Sequence, residues 1–137
     1  MANNASSLTP AKIQWQLRRL AALERDAFIA THYLRQRVAW KMRFFDATDW
    51  GAGSVLQFSF TQRGWHRYRR LDRLVYAYID ITAHPETRGL RRGRRVDLDG
   101  IMEKVDTVTG ITLTLDRFAI LPVSLLDRFV IKSDSRY

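Results

Sequence analysis

The chain of 137 residues contains no cysteine, which excludes disulfide bonds, cysteine nucleophiles and zinc sites built on thiolates. No stretch approaches the roughly 20 consecutive apolar residues that a helix needs to cross a bilayer, so no membrane partner is expected. Residues 1–10 hold neither a basic segment nor an apolar core, and a secretory signal is therefore not predicted. These absences favour a cytoplasmic protein, or a virion protein if the chain is an assembly subunit.

The sequence also offers few groups for catalysis. Its three histidines, His32, His66 and His84, lack the four-residue spacing of a helical metal pair. No serine lies in a nucleophile-elbow pattern, and no glycine-rich phosphate loop with its lysine occurs. Asp97 and Asp99 could share a hard cation such as Mg²⁺, but ion pairing with the preceding arginines explains them better. We therefore predict a non-enzymatic protein with no metal site and no cofactor.

Positive charge is what the sequence has in excess. The formal net charge is +9, and 19 of the 23 basic residues are arginine, whose planar fork of donors suits phosphate and carboxylate groups. The distribution is uneven, because residues 63–95 hold ten basic and three acidic side chains whereas residues 96–137 hold five and seven. This asymmetry favours a polyanionic partner.

Two arginine-rich segments carry this interpretation. The first, residues 63–73, interleaves guanidinium groups with Trp65 and Tyr68, whose rings could stack on unpaired bases while the arginines pair with phosphates. The second, residues 88–95, is a predicted loop whose glycines allow close backbone approach to a ligand. The alternatives are a solvated surface for each segment and a place in the core for the two aromatic rings. The predicted nucleic-acid-binding residues are Arg63, Trp65, Arg67, Tyr68, Arg69, Arg70, Arg73, Arg88, Arg91, Arg92, Arg94 and Arg95.

Residues 1–8 are predicted to form a flexible tail, and residues 9–46 are predicted to be helical. Thr9 can cap the helix, and Pro10 fits its first position, where a missing N–H costs nothing. No further glycine or proline occurs in this segment, and apolar residues recur at spacings of three and four. The pattern predicts one long helix, or two helices if the chain breaks near residues 24–26. Residues 27–45 are apolar on more than one side, which favours self-association.

Residues 54–137 are predicted to form a small β domain that packs as one unit with the helical segment. Residues 65–82 fit both a helix and a strand, and their β-branched and aromatic content favours a strand over residues 74–82. Further strands are predicted at residues 55–61, 96–105, 111–115, 118–123 and 128–132, with turns at 106–110 and 116–117.

A strand of the form G-x-x-x-x-V-D runs from Gly100 to Asp106, an alternating L-T-L strand follows at residues 113–115, and D-R-F-V-I closes the run at residues 127–131. With these features, residues 96–132 resemble small, strongly bent barrels of the SH3 or Sm-like kind. The RNA-contacting loop residues of the Sm family are not recognisable, so the resemblance implies architecture and no site. The predicted fold class is α+β, with a long N-terminal helix (or two helices) followed by a small, strongly bent antiparallel β-sheet or barrel.

Three functions compete at this point. The favoured one is a nucleic-acid-binding protein of low sequence specificity that grips the phosphate backbone through its arginine-rich loops, with DNA and RNA, single strand and duplex left open. The alternative is a structural subunit of a virion, transfer apparatus or ribonucleoprotein that binds partner proteins through the aromatic-rich helix, as a homo-oligomer or in a larger assembly. The third is an enzyme, for which the candidate catalytic groups are the carboxylates of Asp97, Asp99 and Glu103.

Overall fold

The computed structural model describes residues 8–62 and 74–123 and has an α+β architecture. Two short helices precede five strands that close into a barrel in the order β1-β2-β3-β5-β4. The elements are α1 (Pro10–Arg18), α2 (Ala22–His32), β1 (Arg37–Thr48), β2 (Val55–Thr61), β3 (Val75–Asp80), a 3₁₀ turn (Pro85–Gly89), β4 (Arg95–Asp106) and β5 (Gly110–Ile120). The small barrel expected from the sequence is thus confirmed.

The first helix begins as predicted, but it is short. Thr9 is the N-cap, and its hydroxyl accepts a hydrogen bond from the Lys12 N–H at 3.2 Å. The prediction of one helix over residues 9–46 is wrong, because α1 ends at Arg18 and Ala21 is extended at φ −61° and ψ 146°. The break lies before the expected one at residues 24–26. It needs no glycine, since alanine adopts extended geometry freely.

The second part of the predicted helical segment is a strand. Helix α2 ends at His32, and Arg35 takes a left-handed conformation (φ 68°) that redirects the chain into β1. Side chains of β1 alternate between barrel interior and surface, with Val38, Trp40 and Met42 buried. Trp40, Met42 and Phe44, which looked like apolar residues of a helix, therefore face the interior side of a strand, and β1 pairs with both β2 and β4.

The connectivity of the barrel is a Greek key, because β1, β2 and β3 are consecutive neighbours and β4 returns to pair with β1. Strand β5 fills the space between β3 and β4. Its pairing with β3 is parallel, which corrects the expectation of a purely antiparallel sheet. The interior is filled by completely buried side chains from the strands and from α1, including Phe60, Leu98, Met102, Ile111 and Ile13.

Strand β5 runs through the position where a turn was expected. Asp116 and Arg117 lie inside it, so the separate strands predicted at residues 111–115 and 118–123 are one element. Both side chains are exposed and are paired across the barrel surface: Asp116 with Arg37, and Arg117 with Asp99 at 3.3 Å. The strand predicted at residues 128–132 lies outside the described residues, whereas the strand preferred within residues 74–82 is confirmed by β3.

Gly100 marks a close approach of strands β4 and β5. A Cβ atom at this position would overlap the main-chain oxygen of Thr114 and lie 3.0 Å from the Cα of Leu115. A register shift between Asp99 and Gly100 occurs at the same point of the β4–β5 pair. The glycine is therefore required by the space between the strands.

Candidate functional site

The arginine loop, defined as residues 88–95, is fixed to the surface of the barrel. The Gly93 N–H donates to the Phe44 carbonyl at 2.8 Å, and the Phe44 N–H donates to the Arg94 carbonyl at 2.8 Å. Gly93 has a φ of 94°, a conformation that a residue with a side chain adopts at a cost. The loop therefore continues the β1–β4 pairing and presents its guanidinium groups from a defined backbone.

Two arginines of the loop are held by uncharged acceptors. The Nε of Arg92 donates to the Phe45 carbonyl at 3.0 Å, and its guanidinium lies 4.5 Å from the centre of the Phe45 ring. The Nε of Arg94 donates to the Leu121 carbonyl at 3.0 Å. These contacts orient the side chains without neutralising them, and each guanidinium keeps further N–H groups for an anion.

Arg88 and Arg91 are exposed, and neither side chain makes a hydrogen bond, ion pair or ring contact with any other described residue. Arg95 is half-buried at the beginning of β4. The five predicted residues of the second segment are thus brought together on one loop and the strand that follows it.

Arg43 was not among the predicted site residues, but it lies beside the loop arginines. We call the whole group the arginine cluster: Arg43, Arg88, Arg91, Arg92, Arg94 and Arg95. Arg43 is the register partner of Arg95 on the neighbouring strand, and its Nη1 donates to the Gly93 carbonyl at 2.8 Å. Residues at matching positions of paired strands point to the same face of the sheet. A period of two in residues 37–44 was the signal that could have placed Arg43 on the outer face.

The first arginine-rich segment, residues 63–73, lies outside the described residues, and so do all seven of its predicted contacts: Arg63, Trp65, Arg67, Tyr68, Arg69, Arg70 and Arg73. The strand ends that flank it are described. Thr61 is the register partner of Arg43, and Phe60 is the register partner of Val75. At a strand spacing of about 4.8 Å, Thr61 lies roughly 10 Å from Arg95 across the sheet. The chain therefore leaves β2 and enters β3 beside the arginine cluster.

The acidic side chains singled out in the sequence face arginines other than those of the loop. Asp99 is paired with Arg117, and Glu103 accepts two hydrogen bonds from Arg35 at 2.9 and 3.0 Å. Asp97 is half-buried on the same strand. Asp99 and Glu103 are four positions apart, about 13 Å along a strand, which is too far for one shared cation. Within residues 8–62 and 74–123, no group of three acidic, histidine or cysteine side chains could hold a metal ion.

The remaining polar groups stabilise local structure. His84 lies 3.4 Å from Glu86, and His32 packs on Phe28 with ring centres 4.2 Å apart, whereas His66 lies outside the described residues. Hydrogen bonds from the side chains of Thr82 and Ser54 lower the pKa of Asp80 to about 2. Backbone N–H groups, first that of Thr109, lower the pKa of Asp106 in the β4–β5 turn. These shifts come from turn-capping hydrogen bonds.

In the described part of the chain, no helix has the length and apolar character needed to cross a membrane. No known protein-family model matches the chain, and no curated protein matches its sequence.

Proposed function

We propose that this chain is a non-enzymatic nucleic-acid-binding protein that grips the phosphate backbone through its arginine loop, with low sequence specificity. The observation that carries the proposal is that the described residues offer no carboxylate partner to four arginine side chains of the loop. Arg88 and Arg91 have no described partner, while Arg92 and Arg94 are oriented by neutral carbonyl groups. The guanidinium groups of Arg88, Arg91, Arg92 and Arg94 make no ion pair with the described residues, and such groups are suited to phosphate oxygens.

The strand ends on either side of residues 63–73 favour a second contact. The described strand ends that flank this segment lie beside Arg43 and Arg95. Its five arginines would then extend the same cationic surface, and Trp65 and Tyr68 would offer rings for unpaired bases. Phosphate contacts position a protein on nucleic acid but do not read sequence, which accounts for the low specificity proposed.

The fold supports this proposal only as an architecture that can bind nucleic acid, because the proteins it resembles in topology use a different surface from the arginine loop. Five-stranded Greek-key barrels of the OB type bind oligonucleotides or oligosaccharides through the face of their second and third strands and through adjacent loops. The SH3 and Sm-like likeness expected for residues 96–132 is weaker, because the separate strands expected at residues 111–115 and 118–123 are one strand. Neither analogy assigns a function, because one architecture serves many ligands.

The direct test is fluorescence anisotropy with labelled 20-nucleotide single strands and 20-base-pair duplexes of DNA and RNA. We expect binding at low ionic strength to every probe of at least one class, whatever its sequence, and a steep loss of affinity as salt rises. A variant with alanine at Arg88, Arg91, Arg92 and Arg94 should bind more weakly and keep its fold by circular dichroism. Failure of all probes to bind at about 50 mM salt would overturn the proposal.

A specific observation favours the alternative function, a structural subunit of a larger assembly. Leu23 on α2 is 97% exposed and Trp15 on α1 is 62% exposed, while Ile29 is the one buried side chain of α2. Of the aromatic residues in the segment expected to bind partners, Tyr33, Trp40 and Phe44 are instead in the core. A partner protein would therefore bind the outer face of the helices, and native mass spectrometry at micromolar concentration would detect a stable oligomer.

A further inference from the structure

The outer face of β2 and β3 carries exposed aromatic rings in a fixed arrangement. Trp50, in the β1–β2 loop, is 69% exposed, and its indole N–H donates to the Gln57 side chain at 2.9 Å. The Gln57 amide in turn donates to the Tyr78 hydroxyl at 3.4 Å, and Tyr78 is 56% exposed. Gln57 and Tyr78 are register partners, so these three side chains form one surface, which we call the aromatic wall.

The charge around the aromatic wall has the opposite sign to that of the arginine loop. Asp49 adjoins Trp50 in sequence, and Asp80 lies two positions after Tyr78 on the same face of β3. Residues 44–62 and 74–87 contain no lysine and no arginine. The low pKa of Asp80 keeps that carboxylate charged at any pH near neutrality. Phosphate groups are therefore disfavoured at the aromatic wall, and cations are favoured.

Guanidinium groups are the cations best suited to such a surface, since they stack on aromatic rings and pair with carboxylates at the same time. The chain already uses this contact internally, with Arg92 on Phe45 and with Arg19 on Trp15 at 4.5 Å each. Arg88 and Arg91 are the exposed loop arginines that make no such contact with the described residues, including those of the aromatic wall. The aromatic wall and the exposed loop arginines are thus complementary surfaces that do not contact each other within one copy of the chain.

We propose that the aromatic wall of one copy binds the arginine loop of a second copy, through stacking of Arg88 and Arg91 on Trp50 and Tyr78. The two surfaces differ, so the contact is head-to-tail and leaves a free wall and a free loop at the ends of every dimer. Longer chains, or a closed ring, follow at higher concentration. Tryptophan, tyrosine and arginine are also the residues that most often dominate protein interfaces.

Sedimentation velocity over a concentration series at low salt tests this interface. The wall variant, Trp50→Ala with Tyr78→Ser, and the loop variant, Arg88→Ala with Arg91→Ala, should each weaken self-association at least about tenfold. Because each variant keeps one intact surface, an equimolar mixture of the two should form heterodimers and no larger species. An Asp49→Asn variant keeps the acceptor for the Gly51 N–H but removes the charge, so it should weaken association without a change in fold.

The proposal is wrong if the wild-type protein stays monomeric, if either double variant associates as the wild type does, or if the mixture forms no heterodimer. The interface shares Arg88 and Arg91 with the proposed nucleic-acid site, so an oligonucleotide and a second copy would compete for the loop, and the wall variant separates the two. That variant should bind oligonucleotides with wild-type affinity, whereas a loss of oligonucleotide affinity with unchanged self-association would assign the aromatic wall to nucleic acid and overturn the inference.

Discussion

Replacement of Arg88 and Arg91 by alanine should weaken nucleic-acid binding and flatten its salt dependence while the fold is preserved. Both side chains are exposed and make no hydrogen bond or ion pair with the described residues. The double variant therefore loses two cations without losing a side-chain hydrogen bond or ion pair to the described residues. Its free energy of unfolding should stay within about 0.5 kcal/mol of the wild-type value for each substitution.

The magnitude follows from counterion release. Each neutralised phosphate of duplex DNA contributes about 0.9 to the slope of log K against log salt concentration. Two lost contacts should therefore reduce the slope by about 1.8. Over a fourfold rise in salt, from about 50 to 200 mM, the wild-type protein should lose roughly twelvefold more affinity than the variant loses.

The assay is anisotropy with a labelled duplex at four or more salt concentrations. The matched control is Arg37→Gln with Arg117→Gln, which lowers the net charge by the same amount but removes arginines already paired with Asp116 and Asp99. The control should keep nearly the wild-type slope. Equal slopes for the wild type and for the Arg88/Arg91 variant would refute the reasoning, as would equal losses in the variant and the control.

Three further predictions concern the barrel and the helices. Gly100→Ala should destabilise the protein by about 1–3 kcal/mol because its Cβ meets the backbone of β5, whereas Gly89→Ala, with open space around it, should be nearly neutral in the same urea titration. Since the pKa of Asp80 is lowered to about 2, its contribution to stability is present above pH 4 and is lost as pH falls toward 2; thermal unfolding of Asp80→Asn should show a weaker pH dependence in that window. Leu23→Glu should leave the melting temperature unchanged because Leu23 is almost fully exposed, whereas Ile29→Ala, at the buried contact of α2, should cost about 2–5 kcal/mol.

Local signals in the sequence were sufficient where each element is determined by its own residues. The Thr9-Pro10 start of α1, the strand β2 and the turn before Gly110 were all predictable. Strand β1 was not, because its apolar residues continue the three-and-four spacing of the helices and no glycine marks Arg35 as the point of change. Pairing with β2 and β4 decides the conformation of β1. The β4 partner is distant in the sequence, so the residues around β1 do not reveal it.

The arginine loop was visible as a charge run, but the full cluster was not. Arg43 reaches it through the register between β1 and β4, which joins residues 52 positions apart in the sequence. The aromatic wall was missed for the same reason, since Trp50, Gln57 and Tyr78 come from a loop and two strands. Residues that share a surface through sheet register leave no local pattern in the sequence.

A titration of the ¹⁵N-labelled protein with a short oligonucleotide, followed by NMR at a protein concentration low enough to keep the chain monomeric, tests the central claim most directly. If the arginine cluster binds phosphate, the amide resonances of residues 91–95, Arg43 and Gln62 should shift together, and those of Gln57 and Tyr78 should not. Shifts confined to the β2–β3 face, or to the outer face of the helices, would contradict it.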